Sequence, residues 1–284
     1  MIGSLQTGVS GLEQFQQDLQ VIGNNIANVN TVGFKSDRME FADAFSQSLV
    51  NGSATMQVGT GVQTSDITAS FTEGTLNNTG NPTDLAVSGP GFFVVKDPSS
   101  GATYVTRDGE FKLDANGNLV TNLGYNVQGY TGTSPYTSGS TVGNLQINDA
   151  AAIAALNAPA GSTLAGWSID SLGQINATLS DPTGATITGV IGQVVLQNFT
   201  APQMLMKQGN NLYTYSSAAG PLAAPAAPNS GALGTVISSA LESSNVDLGQ
   251  QMADLITAQR AFEANAKIVT TSDEVLQTLV NIKR

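Results

Sequence analysis

Three polar side chains at alternate positions form the most metal-like motif of the chain. Asp114, Asn116 and Asn118 follow the spacing of the first ligands in a calcium-binding loop. Such a loop needs a glycine at its sixth position and a bidentate glutamate at its twelfth. Here Gly117 falls at the fourth position and Tyr125 occupies the twelfth. The motif therefore favours a tight turn over a calcium site.

Two nearby carboxylates, Asp108 and Glu110, come closest to an acid–base site. Arg107 and Lys112 lie beside them, which favours ion pairing at the surface over catalysis. The chain has no Cys and no His, and no Ser stands beside a plausible base. These absences exclude thiol chemistry, disulfides, His-based triads and the commonest metal ligand. We therefore expect no active site, metal or cofactor, and predict that the protein is not an enzyme.

Glycine-rich stretches and basic residues give no sign of a phosphate or nucleic-acid ligand. Gly89-Pro90-Gly91 precedes a strand-like run, whereas a phosphate-binding glycine loop opens a helix. Gly59-Thr60-Gly61 lacks the Lys-Ser/Thr pair of a P-loop. The net charge is −11, with no basic cluster beyond Lys283-Arg284. Because nucleic-acid binding needs a positive surface, no nucleic-acid partner is predicted.

The surface is predicted to be polar but weakly charged. Charged residues make up 11% of the chain, against roughly 25% in an average domain. Ser, Thr, Asn and Gln take their place. This composition suits a surface that neighbouring subunits cover, because interface cores are depleted of charge. It also suits a β-rich secreted protein with polar turns, and composition leaves both interpretations open.

No segment resembles a membrane anchor or a cleaved leader. No apolar run reaches membrane-spanning length. The first residues, Met1 to Leu5, have neither a basic n-region nor a continuous apolar h-region. We expect no membrane insertion, and a protein that is either cytoplasmic or exported without a cleaved signal peptide.

The N-terminal segment carries an apolar stripe of helical period. Its apolar residues recur at steps of three or four, which predicts a coiled-coil-like helix over residues 1–30. Gly3, Gly8, Gly11 and Gly23 interrupt it, and each costs about 1 kcal/mol relative to Ala. The helix should therefore be weak alone and need a partner. The stripe consists of Ile2, Leu5, Val9, Leu12, Phe15, Leu19, Ile22, Ile26 and Val29.

The C-terminal segment, 244–284, predicts the partner helix. Ser244 to Asp247 resembles a capping box with Asp in place of Glu. A helix with several apolar sides packs against more than one neighbour, so we expect helix pairing and further partners beyond it. One row recurs at intervals of seven, and two further rows lie on other sides: Leu248, Leu255, Phe262, Val269 and Leu276; Met252, Ala266 and Val280; Ile268, Val275, Leu279 and Ile282.

Short β-like runs separated by Gly, Asn and Pro fill the middle of the chain. They predict a mainly antiparallel β domain over 71–235, with 131–165 as a loop-like or small inserted segment. Asn116-Gly117 predicts a hairpin turn. The predicted fold class is α+β: N- and C-terminal helices paired as a coiled coil, joined to the β domain by a linker over 31–70 and 236–243.

Five ordered motifs carry a family resemblance. Val21 to Asn28, followed by Thr31 to Lys35, resembles the N-terminal signature of bacterial flagellar rod and hook proteins. The resemblance extends over about residues 1–130 and 235–284. The other four motifs are Phe41–Phe45, Thr79–Val87 with Gly89–Phe93, Arg107–Asp114, and Leu241–Leu248 leading into Gln259–Phe262.

Within this family some features resemble hook proteins and others resemble the distal rod. Phe41–Phe45, Gln128–Tyr130 and the ending Leu276–Ile282 are similar to hook sequences. The overall length and segment 46–63 are similar to the rod instead. A short hook subunit would lack most of the outer domain, which fits the weak pattern at 131–165. We favour the hook and keep the distal rod as the alternative.

The resemblance implies a structural polymer of the bacterial flagellum. Helices 1–30 and 244–284 would line an inner tube, and the β domain would form an outer tube. The tube would act as a flexible joint that transmits motor torque, and as an export channel. Implied partners are other copies of the chain, the rod, hook-cap and hook–filament junction proteins, and the flagellar type III export apparatus. The implied location is the extracellular hook, or the periplasm if the chain is a rod subunit.

This picture assigns roles to particular residues. Asn25 should flank the apolar stripe, and Asn24 and Asn28 should lie on the far side, where amides can bond a neighbouring subunit. Asn30 and Gly33 sit where the helix should end, because both tolerate left-handed geometry, and the linker begins with Gly33 and Phe34. The residues predicted for helix pairing and polymerisation are Leu5, Leu12, Leu19, Ile22, Asn24, Asn25, Ile26, Asn28, Leu255, Phe262, Val269 and Leu276.

Phe41 and Phe45 form an aromatic-x-x-x-apolar element that resembles the export-gate recognition motif of this class. The alternative is that both side chains only pack within the linker. A different function class, a β-rich secreted adhesin or binding module with helical ends, also stays open. An adhesin would remain monomeric, whereas an axial protein would form tubes.

Overall fold

The chain divides into two compact units. A computed structural model describes residues 2–45, 47–51, 54–131, 136, 141–147, 156, 162–182, 184–214, 218–220 and 224–282. The terminal unit comprises residues 1–29, 35–70 and 246–284, and the central unit comprises 30–34 and 71–245. Much of the predicted insertion at 131–165 lies outside the described residues.

Two helices, α1 (Ile2–Ala27) and α2 (Leu248–Ile282), belong to the terminal unit. The hydrogen bonds of α1 tighten at its end, where the Asn28 N–H is shared between the carbonyls of Asn24 and Asn25 and the Val29 N–H bonds Ile26. Tightened i→i−3 bonds are a common way to close a last helical turn. The helix therefore ends three residues before the predicted boundary at 30.

The start of α2 differs in detail from the predicted capping box. The Asp247 carboxylate accepts hydrogen bonds from the N–H groups of Gly249 at 2.8 Å and Gln250 at 3.2 Å. Asp247 is therefore the N-cap itself, with Leu248 as the first helical residue. The prediction that Ser244 caps the helix is wrong, because Ser244 lies outside the first turn.

Four strands complete the terminal unit and lie within the range predicted as linker. β1 (Asp37–Asp43) pairs antiparallel with β4 (Val62–Ala69), with a register shift between Glu40 and Phe41. Between them β2 (Gln47–Asn51) pairs with β3 (Ala54–Val58). The β2–β3 pair therefore lies, in chain order, between the two strands of the β1–β4 pair.

The central unit is built on a twelve-stranded antiparallel sheet within the described residues. The remaining strands form two-stranded pairs, β19 with β6 and β20 with β5. The strands are β5 (Leu76–Asn78), β6 (Leu85–Ser88), β7 (Phe92–Lys96), β8 (Thr103–Thr106), β9 (Phe111–Leu113), β10 (Leu119–Thr121), β11 (Asn126–Tyr130), β12 (Val142–Asn144), β13 (Thr163–Ile169), β14 (Gln174–Ser180), β15 (Thr186–Val194), β16 (Leu196–Gln197), β17 (Met206–Gly209), β18 (Leu212–Thr214), β19 (Thr235–Ser238) and β20 (Ala240–Glu242), with a 3₁₀ turn at Pro202–Met204.

Strand β7 shows why the central unit folds as it does. Its apolar run is continuous, and alternate side chains of a strand point to opposite faces. Phe93 and Val95 enter one buried cluster, and Phe92 and Val94 enter a second. A strand buried on both faces reads as an unbroken apolar run, so β7 lies between the two cores.

The sequence predictions for fold class and for one hairpin are confirmed. Asn116-Gly117 joins β9 to β10, in which Leu113 faces Leu119 and Lys112 faces Val120. The chain is α+β, with a helix at each end and a mainly antiparallel β domain. Coiled-coil packing of the two helices stays a prediction.

Candidate assembly surface

The two helices pack antiparallel in one register. A Cβ at Gly8 would lie 3.1 Å from Val269, and one at Gly11 would lie 2.7 Å from the side chain of Asn265. At the other end of the pair, Asn25 bonds the side chain of Gln251. As residue numbers increase along α1, the residues of α2 that they contact have decreasing numbers, as expected for antiparallel helices.

The apolar residues predicted for helix pairing are buried or half-buried. Ile22 is buried, as is Ala258, the small residue of α2 that the register places near the middle of α1. Four residues of the main apolar row, from Leu255 to Leu276, are half-buried at heptad spacing, and Val269 among them lies against Gly8 of α1. Leu248, the first residue of that row, is exposed. The other predicted pairing residues, which are half-buried, are Leu5, Leu12, Leu19 and Ile26 of α1 and Leu255, Phe262, Val269 and Leu276 of α2.

Two of the glycines that weaken α1 allow the helices to approach closely. Gly8 and Gly11 are buried against α2, and the Gly11 contact is with the amide of Asn265, which donates to the Ala261 carbonyl. A Cβ at Gly23 would meet no atom within 4 Å, so no neighbour requires glycine there. The glycines therefore differ in role, although their effect on helix propensity is the same.

Asn25 is buried, with only 2% of its surface exposed. Its side-chain N–H groups donate to the Asp37 carbonyl at 2.8 Å and to the Gln251 side-chain oxygen at 2.9 Å, and its oxygen accepts the Asp37 N–H at 2.9 Å. One amide thus links α1, α2 and the first residue of β1. Sequence reasoning placed Asn25 beside the stripe, and the structure adds its two partners.

Asn24 and Asn28 lie on the outer side of the same turn. Asn24 is exposed and Asn28 is half-buried. The Asn28 amide donates to the Asn24 carbonyl at 2.9 Å and to the Asn24 side-chain oxygen at 2.8 Å. Their predicted contact with a neighbouring subunit is a proposal that this outward position permits.

An unfavourable charge pair lies along the helix pair. Burial raises the pKa of the Asp18 carboxyl, and the like charge of Asp254 on α2 raises it further. The Gln250 amide donates to Asp254 at 2.8 Å. Two acidic side chains, one from each helix, thus lie close enough to repel each other, which opposes association of the helices.

A large apolar surface of α2 is left exposed by the described part of the chain. These side chains belong to the other rows that the sequence predicted, together with Leu248 and Ile256. Apolar residues at helical spacing on an exposed face mark a surface that another molecule covers. The exposed set is Leu248, Met252, Ile256, Ile268, Val275, Leu279, Val280 and Ile282, each 45% exposed or more.

The two aromatic residues of the predicted export element differ in their surroundings. Phe41, in β1, is 41% exposed, and its ring centroid lies 5.5 Å from that of Phe15 in α1. Phe45 follows β1 and is 92% exposed. Phe45 is therefore the more accessible of the two, while Phe41 also packs within the terminal unit.

Gly33 and Phe34 are fixed within the central unit. Gly33 has φ of 66°, and a Cβ there would lie 2.7 Å from backbone atoms of Arg107 and Asp108. Both the left-handed backbone and the close approach require glycine. Phe34 is buried, with the Lys207 ammonium 5.0 Å from its ring centroid. Asn30 has no positive φ, so that part of the prediction is wrong.

Arg107 is buried inside the central unit. Its guanidinium pairs with the Glu242 carboxylate at 3.3 Å and donates to the carbonyls of Val87 at 3.3 Å and Gly89 at 2.8 Å. It also lies 5.1 Å from the ring centroid of Phe92. This buried ion pair joins two of the motifs that carry the family resemblance.

The prediction that Arg107 pairs at the surface with Asp108 and Glu110 is therefore wrong. Burial is the largest influence on the pKa of the Asp108 carboxyl and raises it to about 6. A hydrogen bond from the Glu110 N–H acts in the opposite direction and lowers that pKa. The carboxylates of Glu110 and Asp84 raise that pKa further. The true partner of Arg107, Glu242, is distant in sequence, and local spacing gave no signal for it.

The calcium-like motif is a turn, as predicted. The Asp114 carboxylate accepts the N–H groups of Asn116 and Asn118, both at 2.8 Å, and the Gly117 N–H bonds the Asp114 carbonyl. Hydrogen bonds from Asn118 lower the pKa of Asp114. Within the described ranges no cluster of three or more Asp, Glu, His or Cys side chains is arranged to hold a metal ion. Neither described helix has the length and apolarity needed to cross a membrane.

Comparison with protein-family models gives three matches in chain order. The model described as flagella basal body rod protein matches residues 5–35. The flagellar hook protein FlgE/F/G D1 domain matches 86–177, and the flagellar basal body rod FlgEFG protein C-terminal model matches 237–282. The matches therefore fall at both ends of the chain and in the β domain.

Curated relatives align over nearly the whole chain. The flagellar basal-body rod protein FlgG of Bacillus subtilis (strain 168) is 40% identical over 294 residues, covering 100% of both chains. The protein of the same name from Agrobacterium fabrum is 35% identical over 288 residues, covering 96% of each. The flagellar hook protein FlgE of Salmonella typhimurium is 29% identical over 412 residues, covering 99% of this chain and 100% of the relative. With helices at both ends and an antiparallel β domain between them, the chain belongs to the flagellar rod and hook protein family.

Proposed function

We propose that this protein is a structural subunit of the bacterial flagellar hook, which polymerises into a helical tube. The tube serves as a flexible joint between motor and filament, and as an export channel. The observation that carries the proposal is the uncovered apolar surface of α2, on which eight large side chains are exposed. Exposed apolar surface of this kind is typical of a subunit that packs against neighbours, which in this proposal are further copies of the chain.

The terminal helices line the inner tube in this proposal. Residues 1–30 and 244–284 pair as a coiled coil, residues 31–70 and 236–243 form the linker region, and residues 71–235 form the outer tube. Support comes from the half-buried heptad row of α2, which includes Leu255 and Phe262. Contacts between unlike surfaces of identical subunits do not close, and so they generate an open helical polymer.

A hook must bend as it rotates, so its subunit interfaces must exchange contacts. Charged residues make up only 11% of the chain. Amides and hydroxyls can change partners without leaving a buried charge unpaired, which would be costly. The hook-like motifs Phe41–Phe45, Gln128–Tyr130 and Leu276–Ile282 support the same assignment.

The distal rod, a rigid drive shaft, is the second candidate. One observation favours it: the Bacillus subtilis relative, which carries a rod-protein name, aligns over 100% of both chains. The alignment to the hook protein of Salmonella typhimurium spans 412 positions at 29% identity, so many positions of that longer relative have no counterpart in this chain of 284 residues. Under either assignment the function is assembly and not catalysis.

The proposed partners follow from a place in the axial structure. They are further copies of this chain, the rod, hook-cap and hook–filament junction proteins, and the flagellar type III export apparatus. The proposed location is the extracellular hook, or the periplasm for a rod subunit, reached through the flagellar type III export apparatus.

Electron microscopy of the purified full chain tests the proposal. Curved tubes or filaments are expected; persistent monodisperse particles would contradict polymerisation and favour a monomeric adhesin. Cells that lack the protein distinguish the hook assignment from the rod assignment. Isolated basal bodies that keep a complete rod but lack the hook support the hook assignment, and a truncated rod supports the rod.

A further inference from the structure

Seven of the eight exposed apolar residues of α2 form two separate patches, and Val280 lies outside both. The leading patch is Leu248, Met252 and Ile256, each 45–58% exposed. The trailing patch is Ile268, Val275, Leu279 and Ile282, each 45–74% exposed. At about 100° per residue, the two patches lie on opposite flanks of the line that faces α1. They are also at opposite ends of the helix.

The two patches cannot cover each other within one chain. Met252 and Leu279 are about 40 Å apart along the helix, at 1.5 Å per residue. The α1 helix packs on the line between the flanks, through Gly8 and Gly11, and leaves both patches exposed. Among the described residues no other segment covers either patch, so each patch is open to a surface from outside the chain.

The composition of the patches points to another copy as the occupant. Neither patch contains a charged residue, which is typical of the core of a protein interface. Lys267 and Lys283-Arg284 adjoin the trailing patch in sequence, but the net charge of −11 disfavours an anionic membrane or nucleic acid as the occupant. Each copy carries one patch of each kind, so one type of contact between copies covers both.

We propose that the leading patch of one copy packs against the trailing patch of the next. The inference rests on the proposed function and names the surface through which the copies join. Because the two patches differ, the contact is heterologous: each pair of copies leaves one patch of each kind free for a further copy. The stagger of the patches along α2 offsets each copy from the previous one along the helix direction.

Cysteine cross-linking of the full chain tests this contact directly, because the native chain has no Cys. The test variant is Met252→Cys with Leu279→Cys. A disulfide requires Cα atoms about 4.4–6.8 Å apart, so any bond between these two positions joins different copies. Mild oxidation during polymerisation should give a ladder of covalent oligomers on a non-reducing gel. Either single variant should give at most dimers.

The matched control is Met252→Cys with Gln277→Cys. Gln277 is exposed and lies at nearly the same height as Leu279, but its position falls on the opposite flank. Little ladder formation is expected. A control ladder as strong as that of the test variant, or tubes without a ladder from the test variant, would overturn the pairing of patches while leaving polymerisation intact. Absence of tubes from the native chain would instead contradict the proposed function, and this inference with it.

A second measurement does not depend on oxidation. Ile256→Asp and Leu279→Asp each place a charge in one patch and leave the other patch native. Each variant alone should sediment as a monomer. An equimolar mixture should form dimers and stop there, because only one native patch pair remains. Polymers from the mixture, or dimers from either variant alone, would contradict the heterologous contact.

Discussion

At the scale of single residues, the buried amide of Asn25 should contribute to the stability of the terminal unit. Asn25→Ala removes three hydrogen bonds that join α1 to Asp37 and Gln251. At about 1 kcal/mol for each bond, the free energy of unfolding should fall by roughly 2–3 kcal/mol. Urea unfolding followed by far-UV circular dichroism measures this, because both described helices belong to the terminal unit.

Asn24→Ala is the matched control, one position away on the same helix. Asn24 is exposed, and its side chain bonds only Asn28 among the described contacts. Surface substitutions usually change stability by no more than about 0.5 kcal/mol, so the free energy of unfolding of the Asn24→Ala variant should be nearly that of the native protein. Equal destabilisation by the two substitutions would mean that the buried network contributes nothing beyond helix propensity.

Asp108 should make the stability of the central unit depend on pH. The pKa of its carboxyl is raised from 3.8 to about 6, chiefly by burial. The folded state therefore binds the proton more tightly than the unfolded state, and stability falls as pH rises from about 4 to 6. Asp108→Asn should remove this slope and raise the free energy of unfolding at neutral pH by about 1–3 kcal/mol.

Fluorescence of the single Trp, Trp167 in β13, reports unfolding of the central unit for this test. Asp97→Asn provides a contrast of opposite sign, because a hydrogen bond from Ser100 lowers the pKa of Asp97. That substitution should not stabilise the protein at neutral pH. An Asp108→Asn variant with the pH slope of the native protein would show that the Asp108 carboxyl does not titrate in this range.

At the scale of elements, the helix pair depends on which glycines of α1 are replaced. Gly23→Ala meets no neighbour, and should stabilise α1 by up to about 1 kcal/mol. Gly11→Ala gives the same gain in propensity, but its Cβ would lie 2.7 Å from the Asn265 side chain. The free energy of unfolding of the Gly11→Ala variant should therefore be lower than that of the Gly23→Ala variant by at least about 1 kcal/mol.

A double-mutant cycle separates these two effects of Gly11. Replacing Asn265 with Ala removes the neighbour, so Gly11→Ala should be better tolerated in that background. Thermal unfolding followed by circular dichroism compares the four proteins. An equal effect of Gly11→Ala in both backgrounds would mean that α2 does not approach α1 at this point.

The elements that could be predicted from the sequence are those with a strong local period. The row predicted from heptad spacing, Leu255, Phe262, Val269 and Leu276, is half-buried, although its coiled-coil packing stays a prediction, and Asn116-Gly117 predicted a hairpin that is confirmed. The partners of Arg107 and Asn25 could not be predicted, because Glu242 and Gln251 are far away in sequence. Burial of a charged or amide group depends on tertiary contacts, which local composition does not encode.

At the scale of the whole molecule, the chain combines a well-packed central unit with helices that are incomplete without neighbours. Residues of β7 enter two buried clusters, whereas α2 contains a single buried residue, Ala258, among those described. Glycines weaken α1, and the Asp18–Asp254 pair opposes helix association. Both features favour helices that complete their packing only where other copies are present, as the proposed polymer requires.

Export of the chain should depend on Phe45 more specifically than on Phe41. Phe45 is 92% exposed and makes no described ring contact, so Phe45→Ala should leave folding unchanged. Phe41→Ala also removes the contact with Phe15, and should destabilise the terminal unit as well. If the pair forms the proposed recognition element, both substitutions should reduce secretion at least several-fold, measured by immunoblotting of culture medium against cell lysate.

Leu123→Ala is the control for loss of an exposed apolar side chain, because Leu123 is 47% exposed and lies in the central unit. Its secretion should match that of the native chain. Normal secretion of both Phe variants would assign Phe41 and Phe45 to packing alone. Reduced secretion of Phe41→Ala alone would point to stability of the terminal unit as the cause, since Phe45→Ala changes the proposed element without removing a packing contact.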